Sequence, residues 1–477
     1  MGGRSEPDQP TGGRGGGVSK ARVIVVGGGL AGIAASLECA RAGAAVTLLE
    51  SRGRLGGAAY SFVRDGITAD NGQHVFLRCC TAYRRLLAEI GAEDCVMLQP
   101  RLDIPVLAPG GVRGRLRRSG LPAPLHLAAS LARYPLLSVG QRWGVARTMQ
   151  ALRRVDPDDP AADARSFGAW LAEHGQSEAA IDAIWDLIAR PTLNLAPADA
   201  SLAQAAQVFR VGLLQDRAAS DVGYARVPLG EIHDRAAGRA LAGAGVDVRL
   251  RHGATGIEPV SDGFSVSLSG APALTASAVV LAVQPDRLAR IIPGAAGVSA
   301  DGLEALGSSP IVNLHIVFDR QVTDLAFAAG VRTPVQWFFD RTASSGVSDG
   351  QYLAVSLSAA QDELSMTADE LRSRYVGALG ELLPEARGAR VRTFFVTREH
   401  AATFRAAPGA RALRPGARTR LSGLAVAGAF TDTGWPATME GAVRSGLAAA
   451  HEVLGHLSAS GSSARPEPAP ELVGSGR

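Results

Sequence analysis

Lysine is almost missing: Lys20 is the only one in 477 residues, and the net charge of +4 is carried almost wholly by arginine. Cysteine is scarce too. Cys39, Cys79, Cys80 and Cys95 form no C-x-x-C pair and have no histidine at zinc spacing, which argues against a metal site. A vicinal pair such as Cys79–Cys80 is a poor staple, so free thiols in a reducing compartment are the reading. No run of about 18 apolar residues occurs, and no apolar core follows the first charges. Neither a membrane-spanning helix nor a signal peptide is expected, and the chain is placed in the cytoplasm. The basic residues are not interleaved with stacking aromatics, so nucleic acid is not a partner.

What is present is a globular composition, 46% hydrophobic, long enough for two or three domains' worth of core. Residues 1–20 and about 457–477, rich in Gly, Pro, Ser and Ala, have too little apolar content to offset the entropy of ordering and are expected to be disordered.

Residues 22–50, RVIVVGGGLAGIAASLECARAGAAVTLLE, organise the rest. Val23–Val26 is a charge-free β-branched run, as a strand buried on both faces would be. Gly27, Gly29 and Gly32 then form G-x-G-x-x-G: one for the turn, one for close approach to a pyrophosphate, one for helix packing. The helix they open begins with Leu30 and Ala31 at an anion-binding N-terminus. Val46–Leu49 is the next strand, and Glu50 sits where a carboxylate accepts the hydroxyls of an adenosine ribose. Strand, turn, helix, strand and acid in register predict a dinucleotide site.

Past the acid, RGRLGG brings Arg52, Arg54, Gly56 and Gly57. The glycine pair lets backbone reach the middle of an extended cofactor and the arginines can face phosphates; the alternative is a solvated surface turn. Asp70, Asn71, Gly72 and Gln73 form a polar turn before Val75–Leu77. Residues 78–220 read as a mostly helical insertion. Within it, 113–154 mixes leucines and aromatics with Arg133, Arg142, Arg147, Arg153 and Arg154, which suits either a helix on an anionic membrane surface or a helical domain with solvated arginines.

From 226 the pattern returns to strands and helices, with a buried strand at Ala278–Val283. Segments at 310–320, 335–340, 351–358 and 391–400 predict antiparallel strands with a helix near 367–383 among them, one face of a ligand cavity. Last, GLAVAGAFTDTGWPATMEGAVRSG at 423–446 reads as strand, polar turn and a helix starting near Thr438. The fold class is therefore α/β: a discontinuous Rossmann-like nucleotide domain (21–77, 224–300, 420–456) with a mixed helical and antiparallel-sheet substrate domain (78–223, 301–419).

VVGGGLAG at 25–32, Glu50, RLGG at 54–57 and the closing motif at 427–446 together resemble the flavin amine oxidase and phytoene desaturase superfamily. The resemblance implies FAD, held by Gly27, Gly29, Leu30, Ala31, Gly32, Glu50, Arg52, Arg54, Gly56, Gly57, Ala254, Gly428, Asp432, Ala437, Thr438 and Met439. It places Asp432 near the ribitol and pyrophosphate, and the helix start at Met439 and Glu440 against the flavin's N1 and C2 edge, where the helix dipole stabilises negative charge. Ala58 departs from the family, in which arginine often follows the glycine pair.

Within the superfamily, DNGQHVFL at 70–77, ARPTLNLAPADASLAQAAQVF at 189–209 and ARVPLGEIHDRAA at 225–237 resemble the hydroxysqualene dehydroxylases. These remove an allylic hydroxyl with reduced FAD, giving squalene for hopanoid synthesis. Such chemistry needs an acid and a dry cavity. His74 is the candidate acid or hydroxyl orienter, with Gln73 beside it and Asp70 as its partner or a mere turn former. Trp337, Phe338, Phe339 and Trp435 either line the cavity or pack in the core.

Two absences then count. Amine oxidation that relies on a lysine-held water is disfavoured, because Lys20 lies outside the expected fold. No second nucleotide motif is seen, so electrons are expected from a separate flavin or electron-donor reductase. The alternatives are a carotenoid-type desaturase or isomerase, and a non-catalytic flavin-bound partner of a polyprenyl synthase. The expected site is the cytoplasm, with 113–154 as the stretch that could rest on the inner face of the cell membrane.

Overall fold

Five short strands from distant parts of the chain lie side by side and parallel in the computed structural model, which describes residues 21–463. Their order is Asp247–Leu250, Ala45–Glu50, Arg22–Val26, Ala278–Leu281 and Leu424–Val426. The central strand pairs Val23 with Val46 on one side and Ala278 on the other. Both its faces are covered, and Val23–Val26 are all buried. That is why the run carries no charge.

Helix Leu30–Arg41 returns over this sheet, and the long helix Met439–Ser463 crosses it. The crossing is close: a Cβ on Gly446 would lie 2.1 Å from the carbonyl oxygen of Ala31. This last helix runs past residue 457, where disorder was expected. Leu454 and Leu457 pack against the core beneath it, which offsets the polar composition that follows. Residues 1–20 and 464–477 lie outside the described residues.

Ala254–Val260, Gly263–Leu268 and Ala271–Ala276 form a three-stranded antiparallel sheet whose first two strands are joined at Asp262–Gly263. A larger sheet of seven strands stands beyond it. Ser308–Phe318 is flanked antiparallel by Gln351–Ser358 and Val391–Phe404, followed outward by Trp337–Asp340, Phe327–Gly330, Asp103–Ala108 and Val112–Arg117. Helix Ala368–Leu382 covers one face, with Leu371, Tyr375 and Leu379 in one cluster with Leu314, Phe338 and Val355. Alternation along 337–340 thus puts Phe338 in that core, against the cavity-lining alternative, and leaves Trp337 and Phe339 on the other face.

The expected helical insertion at 78–220 is partly β. Residues 103–117 form a hairpin that joins the large sheet through Ala329 and Val106. Its second strand alternates strictly, with Gly114 and Leu116 buried and the arginines out. That period of two contradicts a helix at 113–117; Gly110 and Gly111, both at φ +77°, make the turn. Strand Val96–Leu98 adds to the β content, and helices Thr81–Glu89, Val139–Leu152, Phe167–Glu173, Leu187–Leu193 and Leu202–Phe209 are the longer helical pieces, beside two π-helical turns at 181–186 and 210–214.

Candidate active site

The glycine turn is as tight as its sequence demands. Gly27 has φ +107°, and a Cβ on it would meet the carbonyl oxygen of Ala282 at 2.2 Å; one on Gly32 would meet that of Gly27 at 1.8 Å. Neither tolerates a side chain. Gly29 is different, since its Cβ would find only Gly57 Cα at 3.7 Å. Gly57 (φ +57°) and Gly56 (φ +91°) form the neighbouring rim. This cradle is open above Gly29 and ringed by backbone, with Gly29 capping helix Leu30–Arg41 and offering no side-chain partner to its first N–H groups. Such an end suits a pyrophosphate.

Glu50 is buried at the end of its strand. One carboxylate oxygen accepts from Gly28 N at 2.7 Å and the other from Arg52 N at 2.7 Å. The oxygen facing Arg52 N also accepts from Ser51 Oγ at 3.2 Å, so the one facing Gly28 N keeps a lone pair for a ribose hydroxyl. Arg54 does not reach outward: it stacks 3.6 Å from the Tyr60 ring centroid and donates to the carbonyls of Leu55 and Gly57, at 3.1 Å each. It therefore shapes the RLGG loop. Asp234, on the π-helical turn 231–236, accepts from Leu55 N at 2.9 Å and holds the same loop. The chain's own residues thus fit a dinucleotide at this cradle.

At the other end, Thr438 accepts from Gly441 N at 3.2 Å and caps the final helix, which Met439 opens. Glu440 turns its fully buried side chain away, accepting from Ala82 N at 3.1 Å and Tyr83 N at 2.8 Å. It caps helix Thr81–Glu89 and leaves the start of its own helix uncapped by acid. Asp432 faces Arg411 at 3.2 Å, while Gly428 N donates to Ser445 Oγ. Arg414, whose pKa burial lowers to about 10, donates to the carbonyls of Phe430, Thr431 and Trp435 and so holds the closing loop. Ala437 lies in that loop, partly buried against the core. Ala254 opens its strand directly after a segment that pairs with the acid's backbone, His252 N donating to the Glu50 carbonyl at 2.9 Å and Arg251 N to that of Arg52 at 3.0 Å; its own carbonyl accepts from Arg287 at 2.6 Å.

Between these ends lie two cavities that share Val75. The smaller, about 10 Å³, is room for one water; it is lined by Asp70, Gln73, His74, Tyr224, Phe339 and Arg341, among others. The larger, about 80 Å³, is walled by Phe76, Leu77, Val208, Val211, Trp435 and Met439, with Cys79 and Cys80 at its edge. Trp337 does not line either; its ring sits 6.4 Å from that of Phe339 and backs it. All four cysteines are free, and burial pushes Cys39 up to about 12.

The polar groups in the small cavity divide sharply. Asp70 is fully engaged: its carboxylate accepts from Ser61 Oγ at 2.6 Å, Leu229 N at 2.9 Å and Arg341 at 2.8 Å. Arg341 donates as well to the carbonyls of Ala225 and Val227. Asp70 is thus the anchor of a buried ion pair and does not hydrogen-bond His74. His74 makes no hydrogen bond among the described residues, and the buried Gln73 Nε2 has none either. Burial holds the His74 pKa below its ordinary value, with Asp70 and Glu399 opposing it more weakly. The neutral imidazole is therefore its form at pH 7, one N–H to donate and one nitrogen to accept. His233 is held down to about 3 by burial and then by His74; its Nε2 lies 2.9 Å from the Tyr83 hydroxyl.

Sequence reasoning did not single out Arg341, Asp234, Glu399 or Arg414. Glu399 accepts from Asn71 and Tyr60 at 3.0 and 3.2 Å. Each meets its partner across more than 170 residues, or in Arg414's case holds backbone carbonyls, so no local spacing marks it. The one available signal was Asp70 itself, an acid in an otherwise apolar strand.

Comparison with known proteins agrees with this geometry. The flavin containing amine oxidoreductase family matches residues 30–454. Hydroxysqualene dehydroxylase of Rhodopseudomonas palustris is 29% identical, over 91% of this chain and 98% of its own. Zeta-carotene desaturase of Zea mays is 26% identical, over 90% and 82%. Among solved structures, putrescine oxidase bound to putrescine superposes with a TM-score of 0.69 at 20% identity, covering 91% of this chain and 99% of that one; at that identity it speaks for the fold alone. The described residues include no helix long and apolar enough to cross a membrane. A glycine cradle with its ribose acid, a closing helix start and a family match over most of the length lead to one conclusion: the chain belongs to the flavin-containing amine oxidoreductases and is an FAD-dependent oxidoreductase.

Proposed function

We propose that the protein reductively removes the hydroxyl of hydroxysqualene, giving squalene and water. The carrying observation is the pairing of two cavities at Val75: a larger apolar one, and a one-water polar one in which the buried Gln73 Nε2 has no partner and His74 makes no hydrogen bond among the described residues. An unpartnered buried donor costs about 1–3 kcal/mol, which a ligand hydroxyl relieves and a hydrocarbon does not. A polyprenyl alcohol carries both kinds of group, an apolar chain and a single hydroxyl.

In this reading Gln73 donates to the hydroxyl oxygen and neutral His74 orients it. As the C–O bond breaks, the leaving oxygen takes the His74 N–H proton and departs as water, and the imidazole recovers that proton from solvent after the product leaves. When bound, reduced FAD supplies the hydride that ends on the allylic carbon, so the alcohol and two reducing equivalents become the hydrocarbon, water and oxidised cofactor. Trp435 and Phe339 offer π faces to positive charge on the chain, and the apolar wall excludes water that would recapture it. Electrons come from a separate reductase, since no second nucleotide motif follows a strand.

The second reading is a carotenoid-type desaturase, favoured by the similarity to the zeta-carotene desaturase; it runs hydride transfer in the opposite direction. One anaerobic experiment separates them. Hydroxysqualene with chemically reduced protein should yield squalene by gas chromatography and mass spectrometry. No squalene would overturn the first reading, and oxidation of zeta-carotene by the oxidised protein would establish the second.

A further inference from the structure

From Ile104 to Val155 the chain carries nine arginines and no acid. The same stretch holds half of the large apolar side chains that are exposed among the described residues. Val112, Leu121, Leu125, Val139 and Trp143 belong to it; Val63, Val75, Met97, Val260 and Leu413 are scattered over the rest. Trp143 is 70% exposed and Val139 66%. Single exposed apolar residues are ordinary, but five within a stretch whose own charges are all positive are not.

The local structure presents them deliberately. Ser138 and Gln141 form a capping box that fixes the start of helix Val139–Leu152. Val139, Trp143, Ala146 and Arg147 follow at helical spacing on one outward stripe, all exposed, while Val145, Thr148 and Leu152 face the core. Arg142 donates to the Leu137 and Ala132 carbonyls, tying this helix to the segment before it. Ser130 in turn bonds the backbone of Arg115 and Arg117 on the hairpin, and Ser119 N donates to the His126 carbonyl. The loop bearing Leu121 (51% exposed) and Leu125 (56%) is thereby fixed to the same unit.

Several of the arginines are already paired. Arg115 and Arg117 meet Asp103, and Arg118 meets Asp221. Arg113, Arg133, Arg147 and Arg154 are exposed and form no salt bridge among the described residues. Exposed Trp, Leu and Val beside unneutralised arginine is the composition of a surface that seats in a lipid headgroup layer, the apolar groups entering and the cations meeting anionic heads. Since no described helix is long and apolar enough to cross a bilayer, the contact is with one leaflet. We propose that the loop 119–126 and the Val139–Trp143–Arg147 stripe form a docking surface for an anionic membrane. The inference uses none of the cavity residues and stands independently of the reaction proposed above.

Flotation with vesicles tests it, using the full-length flavoprotein and two lipid compositions: phosphatidylcholine alone, and phosphatidylcholine with phosphatidylglycerol. The protein should float with the anionic vesicles, less so as salt is raised, and remain largely free with the neutral ones. Arg133→Gln with Arg147→Gln should weaken anionic binding about tenfold or more, at roughly fivefold per lost charge near the surface. Val139→Ser with Trp143→Ser, both exposed, should abolish flotation while leaving melting temperature and flavin content unchanged. In the unsubstituted protein, lipids brominated on their chains should quench a part of the tryptophan emission that is missing in the Trp143→Ser variant. Absence of flotation with anionic vesicles, equal flotation with neutral ones, or full flotation of the Val139→Ser/Trp143→Ser variant would each overturn the assignment. So would lipid-free self-association that this variant loses, which would make the face a contact between copies.

Discussion

The glycine cradle and the cavity beside His74 treat polar groups in opposite ways. Around the cradle each side chain that matters is already committed: Glu50 to two backbone N–H groups, Arg54 to two carbonyls, Asp234 to Leu55. Beside Val75 the commitments stop, and Gln73 and His74 wait for partners behind an ion pair that is complete. A cofactor that stays bound is served by a rigid, pre-paired cradle. A substrate that enters and leaves needs open groups held by a rigid backing.

The sharpest way to break this contrast is at the cradle. Gly32→Ala should abolish flavin binding and fold poorly, since its Cβ has 1.8 Å to the nearest oxygen. Gly29→Ala has room in the free protein and should lose flavin without losing apoprotein stability. Absorbance near 450 nm and apoprotein melting measure both; equal stability losses would show that the space above Gly29 is structural.

Next in size is the backing. Arg341→Met strands the Asp70 carboxylate, whose side chain is 4% exposed. It should cost about 3–5 kcal/mol, as breaking a buried pair does, and the Asp70→Asn/Arg341→Met double variant should recover part of that. Urea unfolding checks it. His74→Phe should behave oppositely: turnover down about 100-fold with stability little changed, because the half-buried His74 makes no hydrogen bond among the described residues whose loss would strand a partner. A His74→Phe variant as unstable as Arg341→Met would put His74 in the structural class.

The smallest effect concerns pH. His233 and His315 are held near 3 by burial, so both stay neutral in the fold while the unfolded chain protonates near 6.5. The unfolded state binds more protons below that value, and stability falls as pH drops from about 6.5 toward 3. Each should cost about 1 kcal/mol between pH 7 and 5.5. His315 bridges Tyr352 and Thr397; His315→Gln should flatten the melting-temperature slope by its share.

Local chemistry made some of this legible in the chain and hid the rest. Gly27, Gly32 and the strand Val23–Val26 announce themselves because their constraint, a positive φ or a strand covered on both faces, is set by nearest neighbours. The hairpin at 103–117 was equally readable, yet its arginines drew attention to composition when the period of two was the stronger signal.

By itself, then, the sequence determined the cofactor end: a turn that admits only glycine, an acid one strand later, a helix start near Thr438. Short-range sterics and backbone hydrogen bonding suffice for those. Only the tertiary structure decided that Asp70 belongs to Arg341, that Glu440 caps a helix some 357 residues earlier, that Phe338 turns into the core while Phe339 faces the cavity, and that Gln73 and His74 are left open. Those outcomes depend on which distant groups arrive to satisfy a charge or donor, and long-range packing settles that.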